Sequence, residues 1–214
     1  MKINCKLCFG NSIDAIEDKQ MQNTYYLCKN CDFIFSSNLP TIEQEKNQYS
    51  HHNNSLKNIG YVEMLEKFID TAIIPYSNTS KNVLDYGSGP EPVLSYLLKN
   101  RGFNVQIYDP IYAKDELFKY KKFSVIVSTE VFEHLHSPHE TIKKLVEILK
   151  DNAILSFQTM FHPEDNKKFL NWWYRRDPTH VGFFSHKTVE KMQDIFKLTL
   201  LKFDDKNIAV FRKD

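Results

Sequence analysis

Glycine is scarce in this chain, at six of 214 residues, and two of the six stand close together as Gly87 and Gly89. The third glycine that would complete a G-x-G-x-x-G turn is missing, because the run continues Pro90-Glu91-Pro92. That absence argues against a dinucleotide pyrophosphate as ligand. Net charge is nearly absent too: 28 Lys and Arg stand against 27 Asp and Glu, or +1 overall. No global field therefore recruits nucleic acid or an acidic membrane. No apolar run approaches the length of a membrane span. The first residues lead straight into a cysteine motif with no apolar signal region, so the expected location is the cytoplasm. Beyond position 31 there is no cysteine. What remains, 42% hydrophobic and 26% charged, is ordinary for a soluble globular protein. The length suits one sizeable domain with a small appendage.

The four cysteines form Cys5-x2-Cys8 and Cys28-x2-Cys31. This is zinc-ribbon spacing: each pair makes a knuckle, and two knuckles complete a tetrahedron of thiolates. A disulfide is the competing reading, disfavoured in the cytoplasm. A redox pair would sit beside a βα unit, and none is near. One structural zinc on Cys5, Cys8, Cys28 and Cys31 is expected, in a module spanning 1–40. Lys2, Lys6, Lys19 and Lys29 there are offset by Asp14, Glu17, Asp18 and Asp32. A module that gripped phosphates would be basic, so this one reads as a folding clip or a lid that shapes the substrate site.

Val83-Leu84-Asp85-Tyr86-Gly87-Ser88-Gly89 reads as a buried strand running into a tight turn and then a helix over 92–100. The glycines permit positive φ and close approach of backbone to a nucleoside ligand. A second strand, 103–108, ends in Tyr108-Asp109, and that acid is placed to hold ribose hydroxyls. Only about fourteen residues separate Asp109 from the next apolar run, Phe123 to Ser128. A crossover helix plus another full strand does not fit there. A strand over Ala153 to Thr159, a helix over Thr188 to Phe196, and a hairpin of Leu198–Phe203 with Ile208–Phe211 follow. Ahead of the sheet, Ser36 to Asn47 reads as a linker. An amphipathic helix after Gly60 carries Val62, Leu65, Phe68, Ile69 and Ile73 and stops at Pro75.

Asp85-Tyr-Gly-Ser-Gly-Pro, Tyr108-Asp-Pro, Glu130-Val-Phe-Glu-His-Leu and Arg176-Asp-Pro-Thr-His-Val together resemble class I S-adenosylmethionine (SAM) methyltransferases. The likeness is to a bacterial subgroup with an N-terminal four-cysteine zinc ribbon, and it covers about residues 49–211. It implies an α/β fold: a Rossmann-like sheet with a terminal antiparallel hairpin, here abridged around the third strand, in a domain spanning 41–214. It also implies SAM as cofactor, held by Asp85, Gly87, Ser88, Gly89, Tyr108, Asp109, Thr129 and Glu130. The shortened region departs from the family pattern and leaves the adenine contact unassigned.

Glu133, His134 and His180 are the candidate catalytic residues. The alternative is that Glu133 caps the next helix and His134 packs beneath it. His52 and Asn53 are candidates for one substrate-facing wall, with plain loop polarity as the alternative. Trp173, Arg175 and Arg176 are candidates for another, because aromatic faces beside guanidinium forks suit a planar or anionic substrate. There the alternative is that the aromatics form the core of a lid and the arginines pair with nearby acids. Glu130, Glu133, His134 and His180 also resemble the metal set of small-RNA 3′-end 2′-O-methyltransferases, although Glu-x-x-Glu-His recurs in metal-free relatives. The leading reading is methyl transfer to a small molecule, without nucleic-acid or membrane partners. Modification of RNA or protein with the ribbon as docking module, and a non-catalytic SAM-binding protein, remain open.

Overall fold

The computed structural model describes residues 3–50, 53–77 and 81–214. The central sheet has six strands: β4 (Asn82–Tyr86), β5 (Asn104–Tyr108), β6 (Phe123–Thr129), β7 (Leu149–Gln158), β9 (Leu198–Phe203) and β10 (Ile208–Lys213). Their order is β5-β4-β6-β7-β10-β9. The first four run parallel, and β10 pairs antiparallel with both β7 and β9. No described strand lies outside β5. A bridge between Asp109 and Ala113 and a 3-10 turn over Glu116–Tyr120 occupy the short connection instead. The abridged sheet expected from the sequence is therefore the one observed.

The inner strands β4, β6, β7 and β10 are largely buried on both faces, and their period of two sorts them. Val83, Val125, Val127, Ile154 and Val210 face one cluster with Leu65, Phe68, Leu94 and Leu98. Those last four come from α2 (Ile59–Phe68) and α3 (Val93–Asn100). Leu84, Ile126, Leu155 and Phe211 face the other cluster. It is covered by Ile142 and Leu145 of α4 (Pro138–Glu147) and by Val189 and Met192 of α6 (His186–Phe196). Ser185 caps α6 by accepting from the Thr188 amide. Among the described residues no helix is long and apolar enough to cross a membrane.

The ribbon strands β1 (Ile13–Asp18), β2 (Asn23–Cys28) and β3 (Ile34–Ser36) form a second, antiparallel sheet. Its fourth strand is β8 (Gly182–Phe183), contributed from far along the chain. A short helix, α5 (Asn166–Asn171), precedes β8 and packs Phe169 against Tyr25 and Phe183 of that sheet. Cys5, Leu7, Phe33 and Phe35 belong to the same apolar cluster as Phe132, Phe157 and Phe184. The ribbon is thus packed into the main core.

The stretch read as a linker contains a helix, α1 (Ile42–Tyr49). Thr41 accepts from the Gln44 amide while the Gln44 side chain accepts from the Thr41 amide. This is a capping box, and it fixes a helix that has no buried residue of its own. Helix α2 starts one residue before Gly60, with Asn58 as its cap. A π turn, Ile69–Ile73, then carries the chain on toward Pro75.

Candidate active site and zinc site

The C-terminal ends of the parallel strands open onto one cavity of about 1000 Å³. Tyr86, Asp109, Thr129 and Gln158, each at or just past a strand end, all line it. This is where a doubly wound sheet binds ligands. The volume stands at the upper end for small-molecule sites, enough for a cofactor and a second molecule.

The glycine turn forms one wall. Gly87 and Gly89 both have positive φ, +82° and +67°. The amides of Gly87 and Ser88 donate to the Tyr108 carbonyl at 2.8 and 3.1 Å. A Cβ on Gly89 would meet nothing within 4 Å. That open backbone face at the cavity is a cradle a ligand can fill. At Gly87 the obstacle to a side chain is Val131, whose Cγ2 a Cβ would overlap. Asp109 is nearly buried. Its Oδ2 accepts from the Gly89 amide at 3.0 Å, and its Oδ1 accepts from Ile111 and Tyr112 at 2.8 and 2.9 Å. It ties the turn to the loop after β5, with one acceptor position left on Oδ2 for a ribose hydroxyl. Buried Asp85 accepts from Ser95 Oγ at 2.8 Å, and burial raises its pKa to about 6. These features fit SAM: a bare glycine backbone, two strand-end acids and an adjoining helix start.

Tyr108 departs from the expectation. Its ring stacks on Tyr86, packs tilted against Phe118 and is not part of the cavity wall. Only its carbonyl serves the turn.

The opposite chemistry gathers around Tyr174. Glu130 begins the segment after β6 with φ +54°, a conformation that costs energy for a residue with a Cβ. Glu133 and His134 follow on a 3-10 turn, Phe132–His134. The Tyr174 hydroxyl lies 2.5 Å from Glu133 Oε1 and 3.2 Å from Glu130 Oε2, with its one proton to share between them. Glu133 is fully buried, and its Oε2 has no hydrogen-bond partner. His134 Nδ1 pairs with the Thr179 carbonyl at 2.9 Å and His180 Nδ1 with the Tyr174 carbonyl at 2.7 Å. A carbonyl only accepts, so each Nδ1 carries the proton. His134 Nε2 lies 3.9 Å from Glu133 Oε1, and the two imidazole centroids are 4.7 Å apart. Glu130, Glu133, His134 and His180 all line the cavity.

Burial and the neighbouring Glu133 charge push Glu130 up to about 8. Burial lowers His180 to about 4, so its imidazole is neutral at pH 7. Because the fold raises the Glu130 pKa, the folded state holds a proton that the unfolded chain releases near pH 4.5. Stability is therefore expected to fall as pH rises from about 4.5 to about 8, with a limiting slope of about 1.4 kcal/mol per pH unit. Chemical denaturation of wild type and Glu130→Gln across that window measures it, and the variant is expected to show a shallower dependence.

Other expected residues are placed as follows. Trp173 and Arg176 line the cavity, with Trp173 largely exposed. Arg175 does not line it. Its guanidinium is buried against Asp18 of β1 and the Leu170 carbonyl, so it reads no substrate. Asn53 is likewise outside the wall: its carbonyl and side chain accept from Asn58 and Ser55, and Asn54 faces the cavity instead. His52 lies outside the described residues. Sequence reasoning missed α1, whose Glu45, Gln48 and Tyr49 line the cavity, and Gln48 donates to Asp177 at 2.9 Å. It also missed Tyr174 as the hub of the carboxylates. The capping box was the available signal for α1; Tyr174 gave none.

The four cysteines are unpaired thiols with Sγ atoms 3.6 Å apart for Cys5 and Cys31 and 3.5 Å for Cys8 and Cys28. A tetrahedral zinc with bonds of about 2.3 Å sets sulfur edges of about 3.8 Å. The knuckles match each other: Phe9 and Asp32, each just past a second cysteine, have φ of +59° and +64°. Their amides return to the Cys5 and Cys28 carbonyls. The cluster is compatible with one structural zinc. Elemental analysis should give about one zinc per chain, and Cys28→Ser should lose both the metal and cooperative unfolding of the ribbon, because binding and folding are coupled. A metal-free protein with an intact ribbon would contradict this.

Similarity to known proteins agrees with the geometry. The methyltransferase-domain family matches residues 59–201. The chain belongs to that family and is a SAM-dependent methyltransferase. No curated protein matches its sequence. Among solved structures, magnesium protoporphyrin IX methyltransferase from Synechocystis PCC 6803 with bound S-adenosylhomocysteine (SAH) is 13% identical with a TM-score of 0.53. That match covers 80% of this chain and 94% of the other. An O-methyltransferase family protein from Burkholderia thailandensis is 11% identical with a TM-score of 0.55, covering 80% and 63%. An O-methyltransferase family 2 protein from Planctomyces limnophilus in complex with apigenin is 11% identical with a TM-score of 0.54, covering 74% and 60%. At these identities the likeness is one of fold.

Proposed function

We propose that this enzyme methylates a small-molecule acceptor, with Glu133, His134 and His180 at the acceptor end of the cavity. The observation that carries this is the buried group of carboxylates and imidazoles in the same cavity as the glycine turn. Val131 links them, packing on Gly87 between Glu130 and Glu133. SAM, when bound, supplies an electrophilic methyl on a sulfonium. Asp85, Gly87, Ser88, Gly89, Asp109 and Thr129 hold it. His134 and His180 present Nε2 as the proton acceptor while Nδ1 stays committed to a carbonyl. Glu133 stabilises the imidazolium that results. The parallel to a base oriented by a second group is direct.

Charge favours a small acceptor over RNA. Glu45, Asp85, Glu91, Asp109, Glu133 and Asp177 line the cavity, against Arg176 and Lys206, and Glu130 there is mostly protonated at pH 7. A phosphodiester chain meets repulsion there. Two of the similar structures are named for a porphyrin methyltransferase and for bound apigenin, so the fold accommodates small acceptors. Incubation with methyl-labelled SAM separates the readings: label is expected in a nuclease-treated metabolite extract, and transfer only to RNA or protein would overturn the proposal.

One observation favours a metal-assisted variant of the same site. Glu133, His134 and His180 offer ligand atoms that all lie within 4.8 Å of one another. Two imidazoles and a carboxylate suit Mn²⁺ or Fe²⁺. Titration of Mn²⁺ into SAH-loaded protein decides between the two forms.

A further inference from the structure

The ribbon touches the segments that carry the acceptor wall at three places. Strand β8 pairs with β3, Ile34 opposite Phe183 and Phe35 opposite Gly182. Just before β8, Val181 donates its amide to the Glu133 carbonyl at 2.8 Å and accepts from the Ser36 amide at 2.9 Å. One residue therefore bridges the ribbon to the backbone of the buried carboxylate, and His180 is its neighbour. Gly182 allows the approach, since a Cβ there would lie 2.9 Å from Phe33 Cζ. The third contact is charged. Asp18, at the end of β1, pairs with Arg175, and both side chains are almost fully buried. Arg175 also donates through Nε and NH2 to the Leu170 carbonyl, and its own carbonyl accepts from Tyr25 of β2 at 3.5 Å.

Arg175 directly follows Tyr174, whose hydroxyl contacts Glu133 and Glu130 and whose ring lies 4.1 Å from that of His180. A buried ion pair is a weak source of stability compared with apolar packing of the same volume, whereas its geometry is specific. A guanidinium held at three nitrogens fixes the direction of the adjacent backbone.

We propose that Asp18 and Arg175 are positioning residues, through which the zinc ribbon sets the placement of Tyr174 and His180 in the acceptor wall. This rests on the acceptor-side reading of that wall. It gives the ribbon a role inside the catalytic domain: the loaded ribbon holds the acceptor half of the cavity, while the glycine turn and Asp109 hold the cofactor half independently.

Asp18→Asn tests it. The asparagine Oδ1 keeps the turn contacts that Asp18 makes to the Gln20 and Met21 amides, while the charge facing Arg175 is lost. Amide hydrogen exchange and the ring resonances of ¹³C-labelled histidine are read on SAH-loaded, zinc-loaded protein. The expected result is exchange at Val181 at least tenfold faster and a displaced His180 Cε1–H resonance, because the Tyr174 ring no longer sits against it. Zinc content and SAH affinity are expected to match wild type within twofold. Arg175→Lys, which keeps the charge without the fork, is expected to fall between the two. Unchanged Val181 exchange and an unchanged His180 resonance would overturn the proposal. So would a matching loss of SAH affinity or zinc, or failure of both variants to fold, since the pair would then hold the fold as a whole. Wild-type protein that binds no SAH would defeat the methyltransferase reading while the exchange comparison, run without cofactor, still tests the pair.

Discussion

Glu133→Gln is expected to leave SAM binding unchanged and to slow methyl transfer by about 10² to 10⁴-fold, because the histidine base loses the carboxylate that stabilises its imidazolium. The substitution keeps the shape and the contact to the Tyr174 hydroxyl but removes the charge beside His134 and His180. The apo protein should become more stable at the same time. Glu133 is completely buried, one oxygen has no partner, and Glu130 lies close by. Neutralising a buried, poorly paired carboxylate removes a desolvation penalty of a few kcal/mol. Higher stability with lower turnover is the signature of a group kept for chemistry at a cost to the fold. Thermal unfolding and single-turnover transfer on the same preparation check both halves. A less stable variant with normal turnover would make Glu133 a structural residue.

Gly87→Val is expected to abolish SAM binding and to destabilise the domain. The position has φ +82°, and a Cβ there would overlap Val131. Left-handed backbone costs a residue with a Cβ about 1–2 kcal/mol, and overpacking about 1–3 kcal/mol more. The collision pushes on the segment that leads from Glu130 to His134, so both halves of the cavity suffer. Gly89→Ala is the contrast. Open space surrounds that position, so only the left-handed backbone cost of about 1–2 kcal/mol applies, and the fold should lose less stability than with Gly87→Val while the methyl group occupies the cofactor's cradle. Calorimetry with SAH and denaturant titration separate the two. Equal stability in both variants would show that Val131 yields easily.

Much of the cofactor half was legible in the sequence. Val83 to Gly89 and Asp109 are local signals, each resolved within a few residues by strand period and by glycine. The cysteine knuckles are local too. The short interval between Asp109 and Phe123 correctly removed a strand, because chain length alone limits what fits. The acceptor half was less legible, since its contacts are distant in sequence. Arg175 looked like a substrate reader beside Trp173, yet its partner Asp18 lies 157 positions away, and no spacing rule connects them. The two-residue β8 is too short to carry a period. Tyr108 was read with its neighbour Asp109, but its ring is taken up by Tyr86 and by Phe118, a residue ten positions on that no local signal linked to it. Helix α1 was hidden by its polar composition, and only the Thr41 to Gln44 box marked it.

The most direct test is a crystal structure of the protein with SAH. The account predicts the ribose against Asp109, the homocysteine along Gly87 to Gly89, and the sulfur facing the pocket walled by Glu133, His134 and His180. A complex in which SAH occupies another site, or in which its sulfur faces away from those three side chains, would contradict the assignment of one cavity to both cofactor and acceptor.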